Sequence, residues 1–255
     1  MKKFTYLWLT CLVILSFACE KDTEEINNTQ PDIPAANRSV GASANDFLST
    51  DKFTTLTIEV DYMQGYQPTT QTITNLRNFL STLLNKSSIT IKLQEIPAQG
   101  SETYSISQIR AIEEENRDFY NVGEELTAYI LFLDGYAESD EGNQVTLGVA
   151  HRNTSAALYQ RRIRENSGGL GQVSRTTLES SVLNHELGHL LGLVNIGTAM
   201  ETPHEDGENN GHCDDDSCLM YWAIESGGII PGMMDSRVPS LDTNCRNDLR
   251  ANGGK

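Results

Sequence analysis

The segment HELGHLLGLVNIG, residues 185 to 197, constrains this chain more than any other. Two histidines stand four residues apart with a glutamate between them. On an α-helix, at 100° per residue, His185 and His189 project within about 40° of each other, while Leu183, Leu187, Leu190 and Leu191 group on the opposite side. Thr176 with Glu179 forms a candidate capping box, and Gly192 is a candidate terminating glycine. The pattern predicts a helix from about 176 toward 192 whose leucines pack inward and whose histidines face something else. Imidazoles at this spacing can present two nitrogens to one zinc ion, and Glu186, about 100° around the helix, can reach a water on it. Zinc lowers the pKa of that water toward neutrality, and a glutamate can take its proton as hydroxide attacks a peptide carbonyl.

The surrounding chain supplies a frame for such a helix. FTTLTIEVDY, from Phe53, alternates as a strand, TTQTITNLRNFLSTLLNK has helical periodicity, and SSITIKLQEI alternates again. A second helix follows in SISQIRAIEEENRDFY, then an apolar strand LTAYILFLD and another alternating strand QVTLGVAHRN. SAALYQRRI fits either strand or helix, and NSGGLGQ reads as a loop. This order predicts a small mixed sheet backed by helices. His151, the fifth histidine, falls in one of the strands and reads as structural.

The first residues, MKKFTYLWLTCLVILSFAC, pair two lysines with an apolar run from Tyr6 to Phe17. That is the layout of a secretory signal, and about 12 apolar residues are too few to span a bilayer. SFAC, ending at Cys19, resembles a bacterial lipobox whose cysteine carries lipid, and the following EKDTEE resembles signals that direct lipoproteins to an outer cell surface. The expected product is an exported outer-membrane lipoprotein, at the cell surface or in the periplasm, held to the membrane by its N-terminal lipid only. Residues 19–45 are polar with few large apolar side chains, and read as a flexible tether. With 35 acidic against 19 basic residues the formal charge is −16, which opposes binding to phosphate backbones and excludes nucleic acid as the natural partner.

His185, Glu186, His189 and Gly192 resemble the metzincin clan of zinc proteases, whose pattern is H-E-x-x-H-x-x-G-x-x-H followed by a methionine turn. Here Asn195 stands where the third histidine belongs, and an amide oxygen is a poor zinc ligand beside imidazole. GHCDDDSCLMYW, further on, resembles the archaemetzincin branch, with His212, Cys213, Cys218 and Met220 in place, as though about 17 residues had been inserted after the helix. The cost of closing such a loop rises only slowly with length. The resemblance implies His212 as third ligand, with His204 inside the insertion as the alternative, and Met220 as the apolar floor beneath the metal. It also implies an α+β metzincin-like fold over residues 46–255. An upper part, 46–194, would hold the mixed twisted sheet, a backing helix and the active-site helix. A small loop-rich lower part, 195–255, would hold one helix, with signal peptide 1–18 and tether 19–45 ahead of both. The activity implied is that of a zinc metallopeptidase, an endopeptidase acting on protein or peptide substrates as a monomer, with the 144–153 strand as an edge for extended substrate. The alternative is a non-catalytic zinc-containing surface lipoprotein that binds proteins or peptides.

Five cysteines divide unevenly. Cys11 leaves with the signal and Cys19 carries lipid, so Cys213, Cys218 and Cys245 remain. Archaemetzincins hold a second, structural zinc with four cysteines; here CRND supplies only Cys245, with Asp248 at the fourth place. A disulfide within the three cysteines is the expectation for an exported chain, and a second zinc the alternative. Cys245 also lies at helical spacing with Leu241 and Leu249, as a packed thiol would. Tyr221 is a candidate to line the cleft. The acidic residues Glu201, Glu205, Asp206, Glu208 and Asp214 to Asp216 could gather calcium but match no loop signature, and read as a solvated surface.

Overall fold

A computed structural model describes residues 31–142 and 144–255. The signal peptide, Cys11, Cys19 and the first part of the tether lie outside the described residues. The tether reading ends earlier than expected. A short helical turn at Pro34–Ala36 and helix α1, Ala44–Leu48, precede the sheet, and Ala36, Ser43, Ala44, Phe47 and Leu48 are buried. Phe47 and Leu48 supply the apolar surface, while Asn153 receives Arg38 N–H on its side-chain oxygen at 3.0 Å and donates to the Ala35 carbonyl at 2.8 Å.

The central sheet has five strands in the order β2-β1-β4-β7-β6. Strand β1, Thr55–Met63, pairs in parallel with β2, Ser88–Ile96, and with β4, Glu125–Phe132. Between β1 and β2 runs helix α2, Thr70–Leu83, capped by the Thr69 hydroxyl. Between β2 and β4 lie β3, Thr103–Tyr104, and helix α3, Ile106–Asn116, whose Ser105 and Gln108 form a full capping box. A two-residue strand β5, Tyr136–Ala137, pairs in parallel with β3 in a small separate sheet.

Then β6, Gly148–Arg152, turns at Asn153–Thr154 into β7, Ser155–Leu158, which adds in parallel to β4 and leaves β6 as the antiparallel edge. The ambiguous segment SAALYQRRI is therefore both: β7 first, then helix α4, Gln160–Glu165. Helix α5, Arg175–Leu190, follows, and the last helix, α6, Thr243–Ala251, ends a lower part otherwise made of loops and two short turns. The architecture is α and β elements around a mostly parallel sheet, with one antiparallel edge.

Each face of the sheet carries its own core. Leu56, Ile58 and Val60 face α2 and α5, joined by Leu76, Leu80, Val182, Leu183 and Leu187. On the other face Met63, Tyr129 and Leu131 meet Ile109 and Ile112 of α3. This second face also buries polar groups: Glu113 bonds Arg117 at 2.8 Å and Arg152 at 3.2 Å, and Tyr129 donates to Asp61 at 2.9 Å. His151 is buried here with neither ring nitrogen hydrogen-bonded among the described residues. Burial, and then the charges of Arg152, Arg110 and Arg117, push its pKa down to about 3, so it stays a neutral part of the packing.

Helix α5 starts differently from the expected capping box. Ser174 is the cap, accepting from Thr177 N–H at 3.1 Å. Glu179 is buried instead of reaching back: it receives Thr69 N–H at 2.9 Å, the Thr72 hydroxyl at 2.8 Å and the Gln160 amide at 2.5 Å, and pairs with Arg175. It ties α5 to α2 and α4. Nor is α5 open on one side, since every residue from Thr177 to Leu190 is buried. The histidine face is covered by the lower part of the molecule.

Candidate metal centre

Gly192, just past the end of helix α5, has a φ of 74°, the left-handed conformation that glycine adopts without a Cβ penalty. Val194 and Asn195 are also left-handed, at 51° and 66°, and Asn195 is exposed. The chain thus turns away from the histidines at the place where a ligand at position 195 would have to point back. The inserted loop then returns through a ladder: Asp214 N–H donates to the His204 carbonyl at 3.0 Å, and Asp206 N–H to the His212 carbonyl at 2.8 Å. This ladder sets Glu205 opposite Cys213, so His204 and His212 lie diagonally across it and their rings go to different places.

His212 joins the helix histidines. Ring centroids lie 4.8 Å apart for His185 and His189, 5.3 Å for His185 and His212, and 5.1 Å for His189 and His212. The Nε2 atoms of His185 and His189 are 3.1 Å apart, close to the roughly 3.3 Å expected of two nitrogens on one tetrahedral zinc. His185 Nδ1–H donates to the Leu219 carbonyl at 2.7 Å, which leaves Nε2 with its lone pair toward the other rings. Burial, followed by the charges of His185 and His212, holds His189 well below the ordinary histidine range, the neutral form a metal requires. Three convergent nitrogens with an oriented Nδ1–H fit a zinc ion.

Glu186 is fully buried, and neither carboxylate oxygen has a hydrogen-bond partner among the described residues. Burial, with the nearby charge of Glu225, raises its pKa well above the ordinary carboxylate value. Two glycines make room for this arrangement. A Cβ on Gly148, the first residue of β6, would overlap the Glu186 carboxylate, and a Cβ on Gly188 would overlap the sulfur of Met220. Met220 is therefore packed against the helix backbone between the two histidines, next to His189 and about one turn from His185, and is wholly buried. Tyr221 beside it is half-buried, its ring tilted 49° to that of Trp222 at a centroid distance of 5.7 Å.

A fourth group reaches the same nitrogens. Glu225, which the sequence reading did not single out, places its carboxylate 3.4 Å from His212 Nε2, 3.7 Å from His185 Nε2 and 3.9 Å from His189 Nε2. Burial pushes its carboxyl up, but His185 and His212 outweigh that and hold it well below the usual range.

His204 belongs to a second cluster, which corrects its reading as an alternative third ligand. Its Nδ1 lies 3.4 Å from Cys213 Sγ, and its Nε2–H donates to Asp248 at 2.7 Å. The expected disulfide is absent: Cys213, Cys218 and Cys245 are free thiols, with Cys218 and Cys245 sulfurs 3.7 Å apart. Two sulfurs about 2.3 Å from one tetrahedral zinc stand roughly 3.8 Å apart, so the spacing suits a shared ion better than a covalent bond. Cys218 Sγ also receives Met220 N–H and Asp242 N–H, both at 3.4 Å. Asp248, read as a substitute fourth ligand, orients His204 instead and receives Glu201 N–H at 2.8 Å. The remaining acidic residues of the loop do not gather: Asp206 binds Glu208 N–H, Glu205 binds Gly211 N–H and Asp215 binds Ser217 N–H.

No family model matches the chain, and no curated protein matches it in sequence. Solved structures do. The chain is similar to archaemetzincin from Methanopyrus kandleri, at 16% identity over 78% of this chain and 96% of that one, with a TM-score of 0.49. A zinc-dependent peptidase from Methanocorpusculum labreanum is similar at 15% identity, over 75% of this chain and 99% of that one, with a TM-score of 0.46. Metalloproteinase-II from Bacteroides fragilis is similar at 19% identity, over 80% of this chain and 54% of that one, with a TM-score of 0.40.

Proposed function

We propose that the chain is a zinc-dependent endopeptidase of the archaemetzincin kind, with His185, His189 and His212 as metal ligands and Glu186 as general base. The observation that carries this reading is the buried carboxylate of Glu186, with no partner of its own, beside three convergent imidazoles. A purely structural site has no use for such a group. A bound zinc would polarise the scissile carbonyl and lower the pKa of water in the site.

Glu186, held to a raised pKa, accepts the proton of the attacking water and returns it to the leaving amine. Burial of the site from bulk water strengthens each of these interactions. Strand β6 forms the antiparallel edge beside Glu186, and an extended peptide would add to it as a further strand. Met220 sets the floor by packing on Gly188.

The second cluster supports a structural zinc held by His204, Cys213 and Cys245, whose donor atoms lie within 4.8 Å of one another together with a carboxylate oxygen of Asp242; Cys218, 3.7 Å from Cys245, is the further thiol, and Asp248 orients the imidazole. The N-terminal sequence supports export and lipid attachment at Cys19, with a monomeric domain acting on protein or peptide substrates. One observation favours the alternative of a binding lipoprotein without turnover, namely the carboxylate of Glu225 against the same three nitrogens, because a closed four-donor set serves binding and an open position serves catalysis.

Unfolded casein, incubated with the purified protein with and without a chelator and beside Glu186→Ala, tests the assignment. Cleavage should stop with chelator and in the variant. A variant that keeps its metal and cleaves as fast as the wild type removes Glu186 from the mechanism.

A further inference from the structure

Glu225 has no part in the peptidase chemistry just described, yet its carboxylate makes no hydrogen bond or ion pair among the described residues except with the three histidines. The side chain is one-third exposed, so solvent was open to it. Its oxygens stand 3.4 to 3.9 Å from the three Nε2 atoms, near the roughly 3.3–3.5 Å between neighbouring nitrogen and oxygen ligands of a tetrahedral zinc. The backbone holds it there. Glu225 follows a helical turn, Trp222–Ile224, whose Ile224 is buried, and its carbonyl accepts Leu147 N–H at 2.7 Å. Leu147 immediately precedes the edge strand β6. Two glycines, Gly227 and Gly228, follow, and Gly227 has a left-handed φ of 79°.

We propose that Glu225 is the fourth protein ligand of the metal in the resting molecule, and that the segment 222–228 must swing away before water and substrate can enter. This rests on the three-histidine metal reading. The carboxylate would take the coordination position that a catalytic site leaves to water, and the Glu225 carbonyl takes a backbone donor at the head of the strand where an extended substrate would lie. One residue thus closes the centre on both counts, and an incoming peptide displaces both contacts together. The chain carries its own reversible block instead of a separate inhibitory segment.

The test uses full-length protein loaded with cobalt(II), whose visible absorption reports ligand number and donor type, together with zinc affinity by chelator competition. Glu225→Ala should alter the cobalt spectrum and weaken zinc binding by at least the roughly 10-fold that loss of an outer partner costs, and should raise the rate of casein cleavage. Glu225→Gln should shift the spectrum in the same direction by a smaller amount. An unchanged spectrum and affinity, or a cleavage rate no higher than wild type, overturns the proposal. His189→Ala serves as the control for the underlying reading: if that variant keeps full zinc affinity, the three-histidine site itself is wrong, whatever Glu225 does.

Discussion

The Nδ1–H of His185 donates to the carbonyl of Leu219 at 2.7 Å, so the first imidazole of the helix is aimed by the residue just ahead of Met220. Cys213 N–H in turn donates to the Met220 carbonyl at 2.8 Å, which places the cysteine cluster directly behind the floor of the histidine site. The two candidate metal centres are therefore joined through a few covalent bonds of one loop. Strain or disorder at either should be felt at the other.

Gly188→Ala tests that coupling at its tightest point. The added methyl overlaps the Met220 sulfur, and Met220 has no exposed surface into which to retreat. Overpacking of this kind costs about 1–3 kcal/mol. The urea midpoint should fall accordingly, and metal affinity should fall with it.

Substitution of the two loop histidines should separate the centres. His212→Ala is expected to lose the catalytic ion while retaining the one held by thiols, and His204→Ala to do the reverse and to unfold at lower temperature. Metal equivalents per chain by mass spectrometry under native conditions, followed by thermal unfolding, would check this; loss of the same ion in both variants contradicts the division. Unlike a disulfide, the cysteine cluster should also be sensitive to chelator in the absence of reductant.

Gly148→Ala carries a methyl into the Glu186 carboxylate without touching a proposed ligand. A displacement of about 1 Å at a reacting group costs on the order of 10²-fold. We expect kcat for casein-derived peptides to fall by about that factor with metal content unchanged.

Asp61 gives a pH signature remote from the metal. Burial pushes its carboxyl up to about 7, against the hydrogen bond from Tyr129 and with help from the charge of Glu59. Between the ordinary value of 3.8 and about 7 the folded chain holds a proton that the unfolded chain has released, so this group's contribution to stability declines as pH rises through that window. Asp61→Asn removes the charge. The variant should match or trail the wild type near pH 4 and exceed it by about 1–2 kcal/mol at pH 8, a figure discounted for solvent screening, measured by urea unfolding at each pH.

The features legible in the sequence were those set by spacing along a single element. His185, Glu186 and His189 share a helix, and His212 lies in a short run with Cys213, Cys218 and Met220, so a local pattern placed each of them. Glu225 was not legible, because it reaches the histidines from an irregular loop through the Leu147 contact, and nothing in AIESGG marks that approach. The same holds for Gly148, whose importance arises only when β6 is laid over α5. The capping box at Thr176 and Glu179 failed for a physical reason: Ser174, two residues earlier, was free to cap, and the buried ends of α2 and α4 presented Glu179 with three donors, to which Arg175 of its own helix adds a fourth. The thiol cluster is hidden by sequence separation, because His204 closes it from a loop and Asp248 from helix α6. All-round burial of α5 was hidden by Ser180, Ser181 and Asn184, polar residues that are nevertheless buried, Ser180 against Asn75 of α2.

The bonds between Asn153 and the backbone of Ala35 and Arg38 lash the segment ahead of α1 to the sheet. Asn153 begins the turn between β6 and β7, so that attachment sits at the tip of the hairpin, beyond the Arg152 end of the edge strand and opposite the Gly148 end, where Glu186 lies. Loosening residues 35 to 38 would therefore free the far rim of the groove and leave the reacting end in place.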